Sequence, residues 1–231
     1  AKYFLSTKLN PKTLRFVFVP ETIGSITYLS KNLKKLKKNV IAGYNLSCIG
    51  DNREYSYLPT KYGNTISDRA AIKAFKDLKI KYVGYSFLQR GSDERQYNSP
   101  GIDLPIASIF RTKHGEYPEH HTSLDNFNVV TKKGLMGGYK IVKKAIDIIM
   151  KNYIPKSTFL CEPQMSKRGL YPSLSKFVRS NYNLPSRHLL NFLQYADGTN
   201  DLNDISNYTR SSFDHTHKIF KLMLKSKLIK L

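Results

Sequence analysis

The sequence contains no tryptophan, only two cysteines and few acidic side chains among its 231 residues. Cys48 and Cys161 lie far apart and lack Cys-x-x-Cys spacing, so we expect two free thiols in a reducing compartment and no disulfide framework. No apolar run approaches the roughly 20 residues that cross a bilayer, and the start lacks a signal-peptide pattern. These absences predict a soluble, cytoplasmic chain without a membrane partner.

Negative charge is also scarce, because 17 Asp and Glu face 38 Lys and Arg and leave a net charge of +21. Such an excess raises nucleic acid as a partner. The lysines are, however, spread along the whole chain, and the dense run from Lys31 to Lys38 is typical of a solvated helix face. Residues 186–231 carry only +3, which leaves +18 on the rest and argues against a nucleic-acid reader there.

Runs rich in β-forming residues alternate with helical patterns over the first two thirds of the chain. The predicted strands are 15–20, 39–50, 81–88 and 104–111, and the predicted helices are 24–36, 67–78 and 134–153. Ser67 is the expected N-cap of the second helix. The third is expected to bury one face, made of Leu135, Tyr139, Val142, Ile146 and Ile149. The alternation predicts an α/β domain over residues 1–155, with a mixed, mostly parallel sheet flanked by helices.

The texture of the sequence changes after Pro155. Residues 156–185 contain Pro and Gly at intervals typical of a linker. Residues 186–231 fit three short helices, with Asp201 capping the second, Ser211 or Ser212 capping the third, and a terminal strand. This pattern predicts a small winged-helix domain.

Carboxylates and imidazoles cluster at predicted strand ends and in loops, where ligands of α/β sheets bind. The candidates are Glu21, Asp51, Asp93, Glu94, Glu116, Glu119, His120, His121 and Asp125. Zinc hydrolases need neutral imidazoles and carboxylates around one ion, with a further carboxylate free to take a proton from water. The clustering is what such a site would require.

Five short motifs occur in an order that resembles a known fold. They are Pro20-Glu21-x-Ile23-Gly24-Ser25, Asn45-Leu46-x-x-Ile49-Gly50, Gly91-Ser92-Asp93, Gly101-Ile102-x-Leu104-Pro105 and His121-Thr122-x-x-Asp125. The order resembles the second half of the zinc-dependent exopeptidase fold of bacterial leucyl aminopeptidases. It is more similar to a bacterial family of aminopeptidase-like proteins that carry a C-terminal winged-helix domain and are often associated with polysaccharide biosynthesis.

The resemblance implies roles for three residues. His121 matches the last zinc ligand of the aminopeptidases. Glu21 matches either the general base or a zinc ligand, depending on the register, because this chain has one glutamate where those enzymes have two. Ser47 stands where they have a zinc-binding aspartate, and Asp51 could replace that ligand only if the backbone turns back sharply at Gly50. One zinc ion or an altered site is therefore expected.

A charged loop offers candidate substrate-binding residues. They are Arg90, Asp93, Glu94, Arg95 and Tyr97. As a pocket wall, the arginines could hold a substrate carboxylate or carbonyl through forked hydrogen bonds. The alternative is a loop whose charges satisfy one another and touch no substrate.

The fold's first zinc-binding histidine and its bridging aspartate would precede the helix in which this chain starts without a methionine. The sequence thus predicts a piece of a longer protein and an incomplete zinc site, with zinc absent or partial in this chain. Three functions stay open: a zinc-dependent aminopeptidase or amide hydrolase acting on a small peptide or amide, a non-catalytic scaffold, and a winged-helix protein that binds DNA or protein. A homo-oligomer is compatible with each.

Overall fold

The computed structural model describes residues 2–6, 12–170 and 186–231. The chain divides into two compact units, residues 1–150 and 151–231. The second half of the predicted linker, residues 171–185, lies outside the described residues. None of the described helices is long and apolar enough to cross a membrane.

The first unit is built on a four-stranded mixed sheet, as the alternation of patterns predicts. Its strands are β1 (Gly43–Leu46), β2 (Ser56–Leu58), β3 (Val83–Gly84) and β4 (Ile106–Phe110), in the order β1-β4-β2-β3. The β1–β4 and β2–β3 pairs are parallel and only β2–β4 is antiparallel. Its helices are α1 (Lys2–Leu5), α2 (Ile23–Asn39), α3 (Ile66–Asp77), α4 (Glu94–Tyr97) and α5 (Lys132–Met150). Helices α3, α4 and α5 all contact β4.

One strand prediction is wrong, and one observed strand was not predicted. Residues 13–20 have no regular secondary structure and join no ladder among the described strands, and the side chain of Phe18 is 88% exposed. High β propensity does not make a strand when no neighbour pairs with it, because propensity reflects packing against cross-strand partners. Conversely, residues 56–58 form the buried strand β2, which is not among the predicted strands.

The N-cap of helix α3 lies two residues earlier than predicted. Its N-cap is Thr65 rather than Ser67, and Thr65 forms a reciprocal capping box with Asp68. The Ser67 hydroxyl instead accepts from the Gly43 amide and donates to the Pro105 carbonyl. Ser67 therefore ties the starts of β1 and β4 to α3, a role that depends on tertiary contacts.

Helix α5 buries a different face from the one predicted. The predicted face includes Leu135 and Tyr139, which are 46% and 44% exposed. The buried stripe is displaced by one residue and starts with Gly134 and Gly138. A Cβ on Gly134 would stand 1.8 Å from the Gly50 carbonyl oxygen. The helix can therefore cross the segment that follows β1 only with glycine at position 134.

The described residues of the second unit form three α-helices and a two-stranded sheet. It contains β5 (Lys156–Ser157), α6 (Ser186–Tyr195), α7 (Leu202–Tyr208), α8 (Phe213–Lys225) and β6 (Ile229–Lys230). Side chains of Asp201 and Ser212 cap α7 and α8 as predicted. Strand β5, at the start of the predicted linker, pairs antiparallel with β6 and so belongs to this unit.

Candidate functional site

Glu21 lies on a turn between residues 13–20, which have no regular secondary structure, and helix α2. Thr22 takes a left-handed φ of 62° there, a conformation that side chains other than Gly rarely adopt. The Thr22 amide donates to Asp93 Oδ1 at 2.7 Å, and Arg95 Nη2 donates to the Thr22 hydroxyl at 2.7 Å. Asp93 and Arg95 therefore fix the backbone next to Glu21, whose own side chain is exposed.

A histidine cluster lies in the loop that follows β4. The rings of His120 and His121 stack with centroids 3.9 Å apart, and the ring of His114 lies 6.1 Å from that of His120. His121 has a φ of 62°, and its side chain is exposed. The turn at His121 thus presents two adjacent imidazoles side by side.

The charge of Glu21 acts on this cluster. Burial lowers the pKa of His120, the neighbouring His121 lowers it further, and the carboxylates of Asp125 and Glu21 oppose these effects. Burial likewise lowers the pKa of His114, with help from Lys113, while Glu94 and Glu21 oppose. Both imidazoles are therefore neutral at pH 7 and do not form an ion pair with Glu21.

Two polar atoms near the cluster are buried without a partner among the described residues. One is His114 Nε2, and the other is Glu119 Oε2. The second oxygen of Glu119 accepts from Arg53 at 2.7 Å. Gly91 packs so closely on His114 that a Cβ there would stand 2.4 Å from the imidazole Cε1. Buried polar atoms are normally satisfied, so each of these two needs a water or ligand.

Tyr117 joins the histidine loop to the end of β1. Its hydroxyl lies 3.2 Å from Asp125 Oδ2 and 3.5 Å from Cys48 Sγ. Burial raises the pKa of Tyr117 well above its usual range, as do Cys48 and Asp125. The tyrosine is thus a permanent donor that orients Asp125 and holds this loop in place.

Asp51 accepts hydrogen bonds from protein donors on both of its carboxylate oxygens. The backbone bends at Cys48, which has a φ of 44°, and again at Gly50. Asp51 Oδ1 accepts from the Arg53 amide and the Thr112 hydroxyl at 2.8 and 2.7 Å, while Oδ2 accepts from the Thr112 amide at 2.8 Å. Both oxygens brace the loop after β4, which differs from the predicted role.

Glu94 and Tyr97 also differ from their predicted role in binding substrate. Glu94 is fully buried and ties loop 91–94 to β1 and β4. Tyr97 is half-buried and packs against the core cluster that contains Leu29 and Leu104. A substrate cannot reach the Glu94 carboxylate, so the loop is partly self-satisfied, as the alternative interpretation proposed. Arg90 and Arg95, in contrast, line an open cleft.

The described side chains do not form a set of ligands that fits a zinc ion. Within the described ranges, no three His, Cys, Asp or Glu side chains converge as metal ligands do. Both oxygens of Asp51 accept hydrogen bonds from Thr112, in the loop after β4.

His114, Tyr117 and Cys48 are members of the site that the sequence interpretation missed. His114 follows β4 at its carboxyl end, which is the position where ligand-binding residues of α/β sheets occur. That rule was the available signal. Tyr117 and Cys48 offered none, because their contact joins residues 69 positions apart.

Comparison with known sequences assigns the first unit to a family. A family model described as a domain of unknown function, DUF4910, matches residues 1–152. The chain belongs to this family. A second model, described as a winged helix-turn-helix, matches residues 153–231.

Two similar proteins come from Clostridium acetobutylicum. One, provisionally named a polysaccharide biosynthesis protein with an aminopeptidase-like domain, is 36% identical over 97% of this chain and 51% of its own length. The other is a crystal structure provisionally named a peptidase, with a TM-score of 0.80 and 34% identity over 92% of this chain and 46% of that chain. A zinc aminopeptidase of Bacillus subtilis is similar at a TM-score of 0.45 and 18% identity, over 54% of this chain and 32% of that one.

The first unit is therefore aminopeptidase-like and the second is a winged helix, so the resemblance seen in the five motifs is confirmed. The chain spans about half the length of the Clostridium relatives that it matches.

Proposed function

We propose that this DUF4910 chain is part of a peptidase-type amide hydrolase in which Glu21 is the general base. The observation that carries the proposal is the position of Glu21. It lies on a turn that Asp93 and Arg95 hold in place, and its negative charge opposes the lowering of the pKa of His114 and of His120. The provisional name of the Clostridium relative supports the same class of activity. A small peptide or amide is the proposed substrate, and the two free cysteines are compatible with work in a reducing cytoplasm.

In this proposal Glu21 accepts a proton from the attacking water and returns it to the leaving amine. Because His114 and His120 are held neutral, neither imidazole neutralises the base as an ion pair. Asp93 and Arg95 act as positioning residues, since they fix Thr22 and with it the direction of the Glu21 side chain. Zinc would need ligands beyond those that the described residues bring together, so no step is assigned to it here.

The test measures hydrolysis of amino-acid p-nitroanilides by the full-length protein and its Glu21→Gln variant. We expect a loss of kcat of roughly 100-fold or more, which is the usual contribution of a general base. Glu162→Gln, at an exposed glutamate of the second unit, is the matched control and should leave the rate unchanged. Full activity in Glu21→Gln would refute the proposal.

A non-catalytic scaffold is the second candidate, and the engagement of Asp51 by Thr112 favours it. A scaffold would bind its ligand without turnover in any variant. Absence of hydrolysis by full-length protein in the presence of added Zn²⁺, together with retained ligand binding, would decide for the scaffold.

A further inference from the structure

An open cleft of about 770 Å³ lies in the first unit between loop 59–63 and residues 86–100. Its volume falls in the range of small-molecule sites. The side chains that give it its character are Lys61, Tyr62, Phe87, Leu88, Arg90 and Arg95. None of the three loop histidines lines it, so the cleft lies beside the Glu21 cluster and not within it.

One part of the cleft is apolar although it faces solvent. Tyr62 and Leu88 are 84% and 82% exposed, and Phe87 lies next to Leu88 on a short 3-10 turn. A capping box between Ser86 and Gln89 fixes this turn, with Gln89 accepting from the Ser86 amide at 2.9 Å. Exposed apolar side chains held on a rigid concave surface are typical of a ligand site.

The polar part of the cleft is basic. Arg90 lies over the Phe87 ring at 5.1 Å, which holds its guanidinium at the cleft wall. Arg95 Nε is buried and has no partner among the described residues, although Nη2 of the same group donates to Thr22. No Asp or Glu occurs among the described residues that line the cleft. Arg90 and Arg95 therefore face a concave surface without a lining carboxylate, whereas Lys61 pairs with Asp103.

We propose that this cleft binds a carboxylate attached to an apolar or aromatic body, with Arg90 and Arg95 holding the carboxylate by forked hydrogen bonds. This inference deepens the proposed function. It rests on that function only in taking the bound ligand to be the substrate. The link is Arg95, which lines the cleft and also bonds Thr22, the residue after Glu21. An amide substrate with a free carboxylate and an apolar side chain would thus be anchored next to the proposed base.

The experiment titrates the full-length protein with N-acetyl-L-phenylalanine, its uncharged primary amide and phenyl phosphate, followed by calorimetry. We expect the acid to bind at least tenfold more tightly than the amide, because charge-assisted hydrogen bonds are about twice as strong as neutral ones. Phenyl phosphate should bind less tightly than the acid. Equal affinity of acid and amide would overturn the proposal, and tighter binding of phenyl phosphate would overturn the choice of carboxylate.

Arg90→Gln should weaken binding of the acid at least fivefold and leave binding of the amide unchanged. Lys34→Gln on α2 is the matched control, because it removes one exposed positive charge outside the cleft and should leave both affinities unchanged. Equal effects of the two substitutions would show that the acid is attracted by the net charge of the protein and not by the cleft. That result would refute the proposal.

The two proposals fail separately. If the acid binds and the variants have the expected effects, but no amide is hydrolysed, the proposal of a carboxylate-binding cleft stands and the proposal of a hydrolase fails. Hydrolysis that depends on Glu21, without preference for a free carboxylate and without an effect of Arg90→Gln, would retain the hydrolase and remove the cleft.

Discussion

Replacement of Glu94 by glutamine tests whether this buried carboxylate organises the loop behind the candidate site. Oε1 accepts from the amides of Gly91 and Ser92 at 2.8 and 3.0 Å. Oε2 accepts from Asn45 Nδ2 and the Ser108 hydroxyl at 2.9 and 3.0 Å. All four donors would meet a neutral amide in the variant, and two of them would face its NH2 group instead of an oxygen.

The expected loss of stability at pH 7 is about 2–4 kcal/mol, because hydrogen bonds to charged groups contribute roughly 1.5–3 kcal/mol each and the amide retains part of them. Burial alone would raise the pKa of Glu94, but the hydrogen bonds from Gly91, Ser92 and Ser108 outweigh it and hold the pKa below 4.5. The folded-state pKa is therefore depressed, so the stability is present above the unfolded pKa and lost as the pH falls through the folded value.

Urea unfolding of the whole chain measures the effect at pH 7 and at about pH 3.5. The difference between wild type and Glu94→Gln should be largest at pH 7 and smaller at the lower pH. Glu162→Gln, at an exposed position, should change the free energy of unfolding by less than about 0.5 kcal/mol. A loss that is the same at both pH values would refute the ionised, hydrogen-bonded state of Glu94.

Two further predictions concern the cores of the units. Leu58 of β2 is fully buried, so Leu58→Ala should cost about 2–5 kcal/mol of unfolding free energy, whereas Leu88→Ala at a side chain that is 82% exposed should cost little; equal losses would show that β2 is misplaced. Burial, with Lys221 and Lys151, lowers the pKa of His217 from 6.5 to about 4. As the pH falls, the unfolded chain therefore binds a proton at His217 before the folded chain does. Between pH 6.5 and 4 the Tm of the wild type should fall more than the Tm of His217→Asn, and an equal fall of the two Tm values would contradict this.

Local patterns predicted several elements well because their causes are local. Asp201 and Ser212 cap their helices as expected, since an N-cap needs only a side-chain acceptor next to the first turn. Helix α5 was found for the same reason, but its buried face was not. Hydrophobic spacing favoured Leu135 and Tyr139, whereas close approach to residues 49–50, which follow β1, selects the side of the helix that carries Gly134 and Gly138.

The candidate site was predicted only in part. The sequence pointed to Glu21 and His121, because both lie in loops whose motifs resemble those of aminopeptidases. It could not tell that Asp51 would be held by Thr112, 61 residues away, because the capacity of a carboxylate to bind metal depends on which donors already occupy it. Arg90 and Arg95 were chosen for their charge, and their shared cleft became visible only with the fold.

The amino-acid sequence by itself determined the α/β class, the helix caps, the winged-helix unit and the resemblance to aminopeptidases, since each depends on residue type and short spacing. Only tertiary contacts decided that residues 15–20 pair with no strand in the described part of the chain, that Glu94 is a buried brace, and that Asp93 and Arg95 hold the Glu21 turn. The physical reason is that burial, pairing and charge environment arise from contacts between segments distant in the chain.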